Sequence, residues 1–363
     1  MIWLNMIVKN EATNIERCLK SVKRLISGWV IVDTGSTDAT QAVVRALLNN
    51  LPGQLYEQPW VNFEFNRNQA LAFAKNHCGP DDYILFMDAD DTIIPEYSGL
   101  PGWDKSVVDC YEIEEHDQNL RFYRPFIVKA SLPWAWCGVT HEFLTCAAPN
   151  KKEKLTGIYR QRGTKTTAQY AEKLFRDLGL LTNTDDPRTC FYRAQTLKDL
   201  GRLQEALELY DKRAGQTFGW EEERWYASYE AAMLKEKLGK EPAEIISTYL
   251  QVFEKRPTRA EPLCQLARYC RDRGWHNQAY VFSHAGVVIP FPDSEMLFVD
   301  GPIYEWRMLD EFSIALYWTG HFDWCKQVCE DLLGHAPACE LDRIKKNIEF
   351  AEQQIKAKEP RNV

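Results

Sequence analysis

The pattern of apolar and polar positions changes character near the middle of the chain. In the first half, apolar runs of strand length alternate with amphipathic stretches. Ile2–Val8 reads as an opening strand, and Ile15, Leu19, Val22 and Ile26 then recur at helical spacing behind Asn14, a residue type that caps helices. Val30, Ile31 and Val32 form a second short buried strand. Ser36 and Thr37 can cap a second helix with Ala42, Val43, Ala46 and Leu47 inward. Residues 66–76 predict a further helix with Ala70, Leu71 and Ala74 on one side, and residues 83–87 another buried strand. Apolar strands separated by amphipathic helices imply a parallel sheet covered on both faces. Ligands of such sheets sit beyond the carboxyl ends of the strands.

From about residue 186 onward the pattern is helical throughout. A glycine turn between helices recurs at Gly201, Gly239, Gly274 and Gly320, at intervals of 38, 35 and 46 residues. Ala206, Ala279 and Cys325 each follow a glycine by five residues, where a small side chain lets helices pack closely. Pro257 and Pro290 stand after helices as breakers, and residues 290–302 read as an insertion. The units resemble tetratricopeptide repeats, whose period is about 34 residues. Such arrays bury a continuous core by stacking and offer a concave surface. The expected organisation is a first domain over 1–150, a basic linker or helix over 151–185 and a helical repeat domain over 186–363.

A length of 363 residues agrees with two domains. The 45% hydrophobic and 26% charged content is that of a chain able to bury a large core. The net charge of −8 excludes a domain-wide basic footprint for nucleic acid, with one basic stretch at residues 151–177 as a local exception. No apolar stretch is long enough to cross a bilayer, and the first residues lack a signal-peptide core. Eleven cysteines without a CxxC pair read as free thiols in a reducing compartment, so the expected location is the cytoplasm.

The polar residues gather after three of the strands. Lys9-Asn10-Glu11 follows the first, Asp33-Thr-Gly-Ser-Thr-Asp38 the second, and Asp88-Ala-Asp90-Asp91 the strand at 83–87. Asp88 and Asp90, two apart in extended backbone, point the same way. Like charges so close raise one another's pKa unless a cation lies between them, and hard oxygen ligands suit Mg²⁺ or Mn²⁺ with phosphates completing the shell. A solvated acidic turn before Thr92 is the plainer account of the same residues. Asp33 reads either as an Asx-turn closing its strand or as an acceptor for a base or ribose. Asp38 fits the N-terminus of the following helix. Trp134 and Trp136, at period two, read equally as a sugar platform or as one face of a strand on the core.

In their order, Met6-Ile-Val-Lys-Asn-Glu11-Ala, Val32-Asp33-Thr-Gly-Ser-Thr-Asp38, Asn66-Arg67-Asn68-Gln-Ala-Leu71 and Asp88-Ala-Asp90-Asp91 resemble family 2 glycosyltransferases. The resemblance covers about residues 1–145. It implies a GT-A fold, a Rossmann-like α/β domain for a nucleotide-sugar, ahead of an all-α repeat domain. It implies that Glu11 and Asp33 hold the nucleotide and that Arg67 lies near its phosphates. By the same resemblance Asp90 binds a Mn²⁺ or Mg²⁺ ion bridging the diphosphate, and Asp88 lies near ribose or metal. The Trp134-to-Glu142 stretch is similar to a later segment of these enzymes, which makes His141 a second metal ligand. Glu142 is the first choice for the base of an inverting transfer, ahead of Glu112, Glu114 and Asp117. The implied donor is a UDP-hexose or UDP-N-acetylhexosamine. The acceptor stays open among a peptide, a glycan and a modified nucleobase in DNA, and the repeat domain is expected to support or dimerise the protein. Two other classes fit parts of the sequence. A sugar nucleotidyltransferase would carry a glycine-rich phosphate loop near residue 10, which is absent, and a non-catalytic scaffold would have no use for this set of polar residues.

Overall fold

Ile2–Val8 forms the first strand, β1, and from it the first half of the chain builds outward as a layered sheet. The computed structural model describes residues 1–94, 108–117, 120–163 and 166–358, with the side chains of 117, 120 and 121 outside that description. The chain divides into two units, Met1–Thr182 and Asn183–Val363. In the first, β1 is followed by α1 (Ile15–Val22), β2 (Gly28–Asp33), α2 (Thr40–Leu48), β3 (Gly53–Glu57), α3 (Phe63–Lys75) and β4 (Tyr83–Phe86). Then come β5 (Thr92–Ile94), β6 (Cys110–Asp117), β7 (Leu120–Lys129), β8 (Trp134–Cys137), β9 (Phe143–Cys146), β10 (Lys152–Gln161) and α4 (Thr167–Leu180).

The sheet order is β3-β2-β1-β4-β7-β6-β10-β5, with β8 and β9 as a separate antiparallel hairpin. The expected parallel sheet is present in β3-β2-β1-β4 and parallel pairing recurs between β6 and β10, but β7 joins both β4 and β6 antiparallel and makes the sheet mixed. Both faces are covered, as period two requires of a doubly buried sheet. Leu4, Met6, Tyr83 and Leu85 pack with Ile15, Leu19, Val22, Val44 and Leu48 of α1 and α2. On the other face Trp3, Val30, Ile84 and Phe86 pack with Leu71 and Ala74 of α3 and with Trp134 and Trp136.

Three local expectations need correction. The fully buried residues of α2 are Thr40, Val44 and Leu48, with the expected Val43 and Leu47 half-buried against the same core, whereas Ala42 and Ala46 are exposed, because the helix starts three residues after Thr37 and its buried stripe turns accordingly. Asn14 makes no capping bond and donates instead to Glu11 Oε2 at 2.9 Å. The basic stretch after residue 150 is not a linker helix alone. Lys152–Gln161 is a strand between β6 and β5, and α4 closes the same unit. Much of its charge is consumed locally, since Arg160, Lys173 and Arg176 all pair with carboxylates.

The second unit is helical and repeat-like apart from a two-residue strand at Val299–Asp300. The helices α5 (Pro187–Asp199), α6 (Leu203–Gly215), α7 (Glu221–Lys237), α8 (Pro242–Lys255), α9 (Glu261–Asp272) and α10 (His276–Gly286) form consecutive packed pairs. They are followed by α11 (Met308–Trp318), α12 (Phe322–Leu332) and α13 (Leu341–Lys358). Gly201, Gly239, Gly274 and Gly320 all adopt positive φ, between 67° and 83°, at the turn inside each pair. That left-handed conformation is the helix stop for which glycine has no steric penalty. Ala206, Ala279 and Cys325 are buried where the paired helices meet. No described helix is long and apolar enough to cross a membrane.

Candidate active site

The carboxyl ends of β1, β2 and β4 carry the polar residues that the pattern singled out. At the end of β2, Asp33 is 1% exposed, and its Oδ1 accepts the backbone N–H groups of Gly35 (2.8 Å) and Ser36 (2.7 Å). This is the Asx-turn geometry, which glycine permits at Gly35 with φ +103°. The second oxygen, Oδ2, is buried without a hydrogen-bond partner. Asp33 also lines a cavity of about 320 Å³, together with Gly35, Ser36, Gln41, Glu57, Gln58 and Pro59. A buried acceptor left unmatched costs free energy in the empty protein, and a ligand N–H would recover it.

The loop after β1 is stitched to the loop after β2. Asn10, at φ +55°, donates its N–H to Ser36 Oγ and accepts from Thr37 N at 2.8 Å. Glu11 donates its N–H to Thr40 Oγ1, and Asp38 accepts from Thr40 N and Ala12 N. Asp38 thus serves the start of α2, and the Glu11 backbone lies next to that start while its carboxylate accepts from Asn14.

After β4 the chain turns at Asp88–Asp91, closed by a 3.1 Å bond from Asp91 N to Asp88 O. From α1, Cys18 Sγ donates to the carbonyl of Asp88 and Arg17 Nη2 to that of Asp90. Both carboxylate oxygens of Asp88 are taken by guanidinium groups: Oδ1 by Arg67 Nη2 at 2.6 Å and Oδ2 by Arg160 Nη2 at 3.0 Å. Burial pushes the Asp88 carboxyl up, but Arg67 and Arg160 outweigh it and hold the group well below the usual carboxylate range. Its neighbour Asp91 goes the other way, raised to about 7 by burial and by Asp88, Asp90 and Glu115, against the pull of Arg160.

Helix α3 supplies the middle of the site. Glu64, Arg67 and Asn68 share one helical face, three and four residues apart. Arg67 Nε donates to Glu142 Oε1 at 2.5 Å, and its guanidinium lies 4.8 Å from the centre of the Trp136 ring. Asn68 exchanges two 2.8 Å bonds with the Trp136 backbone, and Glu64 Oε2 accepts the Gly138 N–H. The β8–β9 turn that carries His141 and Glu142 is therefore pinned to α3. Trp134 and Trp136 are 4% and 5% exposed, with Trp136 edge-to-face on Phe86. They are core residues, and the sugar-platform reading falls.

Asp88, Arg67 and Glu142 are thus brought together, although the sequence reading gives them separate roles, at the ribose or metal, at the phosphates and as the base. His141, at φ +50°, directs Nε2 towards Asp177 of α4 at 3.7 Å. Asp177 is fully buried and also accepts from Lys173 and Arg176. Burial raises its pKa, but the Lys173 hydrogen bond and charge, with Arg176 and His141, bring it below the ordinary value. A depressed carboxylate contributes stability that is present above its unfolded pKa and lost as the pH falls through its folded one. Asp177→Asn should therefore lower the melting temperature at pH 7, and the gap to the parent should close as the pH falls below about 4, the ordinary carboxylate range. Thermal unfolding across that range checks this, and a gap independent of pH would refute it.

Among the described residues, no group of three His, Cys, Asp or Glu could hold a metal ion unaided. The donor set fits a divalent ion only in the mode where one or two carboxylates and substrate phosphates share the coordination. Among the bases behind Glu142, Glu112 faces Lys152 at 3.6 Å and Glu114 faces His116 at 2.9 Å. The side chain of Asp117 lies outside the described residues. Sequence reasoning missed Glu64, Asn68, Arg160 and Asp177. The first two had a signal in their spacing with Arg67. The other two act across sheet and helix contacts that leave no local pattern.

Carboxylates and a guanidinium gather over the carboxyl ends of parallel strands, beside an open cavity that Asp33 lines, which is where α/β sheets place their ligands. Residues 4–125 match the family model described as Glycosyl transferase family 2, and the first unit carries a domain of that family. The chain is 38% identical over 96 residues to a TPR repeat-containing protein of Synechococcus elongatus, covering 26% of this chain and 22% of that one. It is 33% identical over 131 residues to an uncharacterized glycosyltransferase of Rickettsia felis, covering 33% and 43%. It is 27% identical over 114 residues to the SPbeta prophage-derived glycosyltransferase SunS of Bacillus subtilis, covering 31% and 25%. The chain thus matches less than half the length of these curated relatives. Among solved structures, MamA aligns over 54% of this chain and 98% of its own, at 14% identity and a TM-score of 0.32.

Proposed function

We propose that the protein is a metal-dependent inverting glycosyltransferase. It moves a sugar from a UDP-hexose or UDP-N-acetylhexosamine to a peptide, a glycan or a modified nucleobase, in the cytoplasm. The observation that carries this reading is the buried, unpartnered Asp33 Oδ2 in its cavity, one strand away from the Arg67–Asp88 pair. A base enters beside Asp33 and donates an N–H to Oδ2, with Glu11 nearby for the ribose. Arg67, stiffened by Trp136, Asp88 and Glu142, is set to meet a diphosphate with a fixed planar donor group. Asp90 and His141 are the residues that would hold a divalent ion with the phosphates, which would stabilise charge on the leaving diphosphate. Since both Asp88 oxygens are occupied, that residue orients Arg67. Glu142 is the base that takes the proton of the acceptor; its Oε1 is engaged by Arg67, which fixes the carboxylate direction. The helical unit supports the catalytic half or joins two copies of the chain.

Calorimetric titration of UDP, GDP and the pyrimidine deoxynucleoside diphosphates, with Mn²⁺ and again with EDTA, tests the reading. One nucleotide should bind with Mn²⁺ and weaken sharply in EDTA. Folded protein that binds none of them would end the proposal.

A further inference from the structure

Beyond the motifs that define the family domain, the last strand of the sheet touches the Asp88–Asp91 turn at two independent points. Arg160 of β10 is 5% exposed and lies 5.3 Å from the centre of the Phe126 ring. It reaches three carboxylates: Asp88 at 3.0 Å, Glu115 at 3.3 Å and Asp91 in a close pair. Two residues after the strand, Gly163 backs onto Asp90. A Cβ at Gly163 would stand 2.4 Å from the Asp90 carbonyl oxygen and 2.7 Å from its Cβ, distances that real Cβ atoms do not show. The main chain of Asp90 is thus gripped between Gly163 and the Arg17 guanidinium on its carbonyl.

The charges form an alternating line, Glu115–Arg160–Asp88–Arg67–Glu142, from β6 to the β8–β9 turn. Each guanidinium is held by carboxylates on two sides, so the direction of Arg67 depends on Asp88, and that of Asp88 on Arg160. A buried pair of this kind is weak evidence for stability, because desolvation offsets most of the attraction. Removing one partner strands the others.

We infer that Arg160 and Gly163, at the end of β10, are positioning residues for the donor diphosphate: Arg160 sets Arg67 through Asp88, and Gly163 sets the backbone of Asp90. The inference rests on the proposed nucleotide-sugar reading. Both residues lie past residue 125, outside the family match. Lysine at 160 would keep the charge but not the planar fork that serves several carboxylates at once.

The test uses the full chain, with UDP and uridine as probes. The parent, Arg160→Lys and Gly163→Ala are compared by melting temperature, by calorimetric titration of UDP in Mn²⁺, and by ligand-observed NMR with uridine. Arg160→Lys should weaken UDP about tenfold or more and leave uridine within twofold, because the cavity at Asp33 is untouched. Gly163→Ala should raise several-fold the Mn²⁺ concentration needed for half-maximal UDP binding, again sparing uridine. Folded variants that bind UDP like the parent would overturn the inference, as would equal losses for UDP and uridine, which a merely structural role produces. If Arg160→Lys does not fold, the Gly163→Ala titration decides alone. A parent that binds neither probe removes the proposed function itself, and this inference with it.

Discussion

Asp33→Asn should lower affinity for the donor nucleotide about a hundredfold while leaving the protein as stable as before, or slightly more so. The two effects separate because the two oxygens of Asp33 do different work. Oδ1 is matched by the Gly35 and Ser36 N–H groups, and an asparagine oxygen can keep both bonds. Oδ2 is buried and unmatched, so an amide there exchanges one unmatched polar atom for another and, by removing a buried charge, adds no further cost to the empty protein. A base that donates an N–H to that position meets a donor instead. A site built to pair with a polar group discriminates by large factors, about 10⁴ or more in the strongest cases, when pairing fails. Calorimetry with the preferred nucleotide, alongside thermal unfolding, checks both halves. Unchanged binding would mean that the cavity is not the base site. A large loss of stability would mean that Oδ2 has a partner inside the protein.

The second large effect is expected at Asp90. Asp90→Ala should remove the Mn²⁺ dependence of nucleotide binding and reduce sugar transfer by about a thousandfold, the scale of several kcal/mol of charge stabilisation. With Arg67 on one oxygen of Asp88 and Arg160 on the other, the neighbouring carboxylate is poorly placed to take over. Release of nucleotide from the donor, measured against Mn²⁺ concentration, gives the result. A variant whose activity still rises with Mn²⁺ as the parent's does would place the ion away from this turn.

What the sequence disclosed and what it withheld follow the reach of the interactions involved. β1, β2 and β4 are short continuous apolar runs, and their identity needs no knowledge of partners. Gly201, Gly239, Gly274 and Gly320 were legible for the same reason, since a left-handed helix stop is a one-residue requirement. The mixed half of the sheet was not legible. β6, β7 and β10 carry charges such as Glu112, Glu115 and Arg160, which look solvent-facing until a partner strand brings opposite charges beside them. β10 therefore reads as part of a basic linker from sequence alone, where Arg160 carries no local signal. Asp33, Asp88 and Asp90 could be singled out because strand ends are local, but whether Asp88 binds metal or arginine depends on residue 160, 72 positions away. Trp134 and Trp136 show the converse. Their period of two was legible, and only Phe86 and Arg67 decided that they face the core.

The placing of β10 also governs how this protein can be cut and recombined. The strand sits between β6 and β5, so a fragment ending near residue 150 would leave a long bare sheet edge and abandon Glu115 and Asp91 without their guanidinium. The first unit is preserved whole when the splice falls at Thr182–Asn183. A graft of foreign repeats made there carries the proposed site with it, whereas one made thirty residues earlier would carry the recognisable motifs and leave behind part of what holds them in shape.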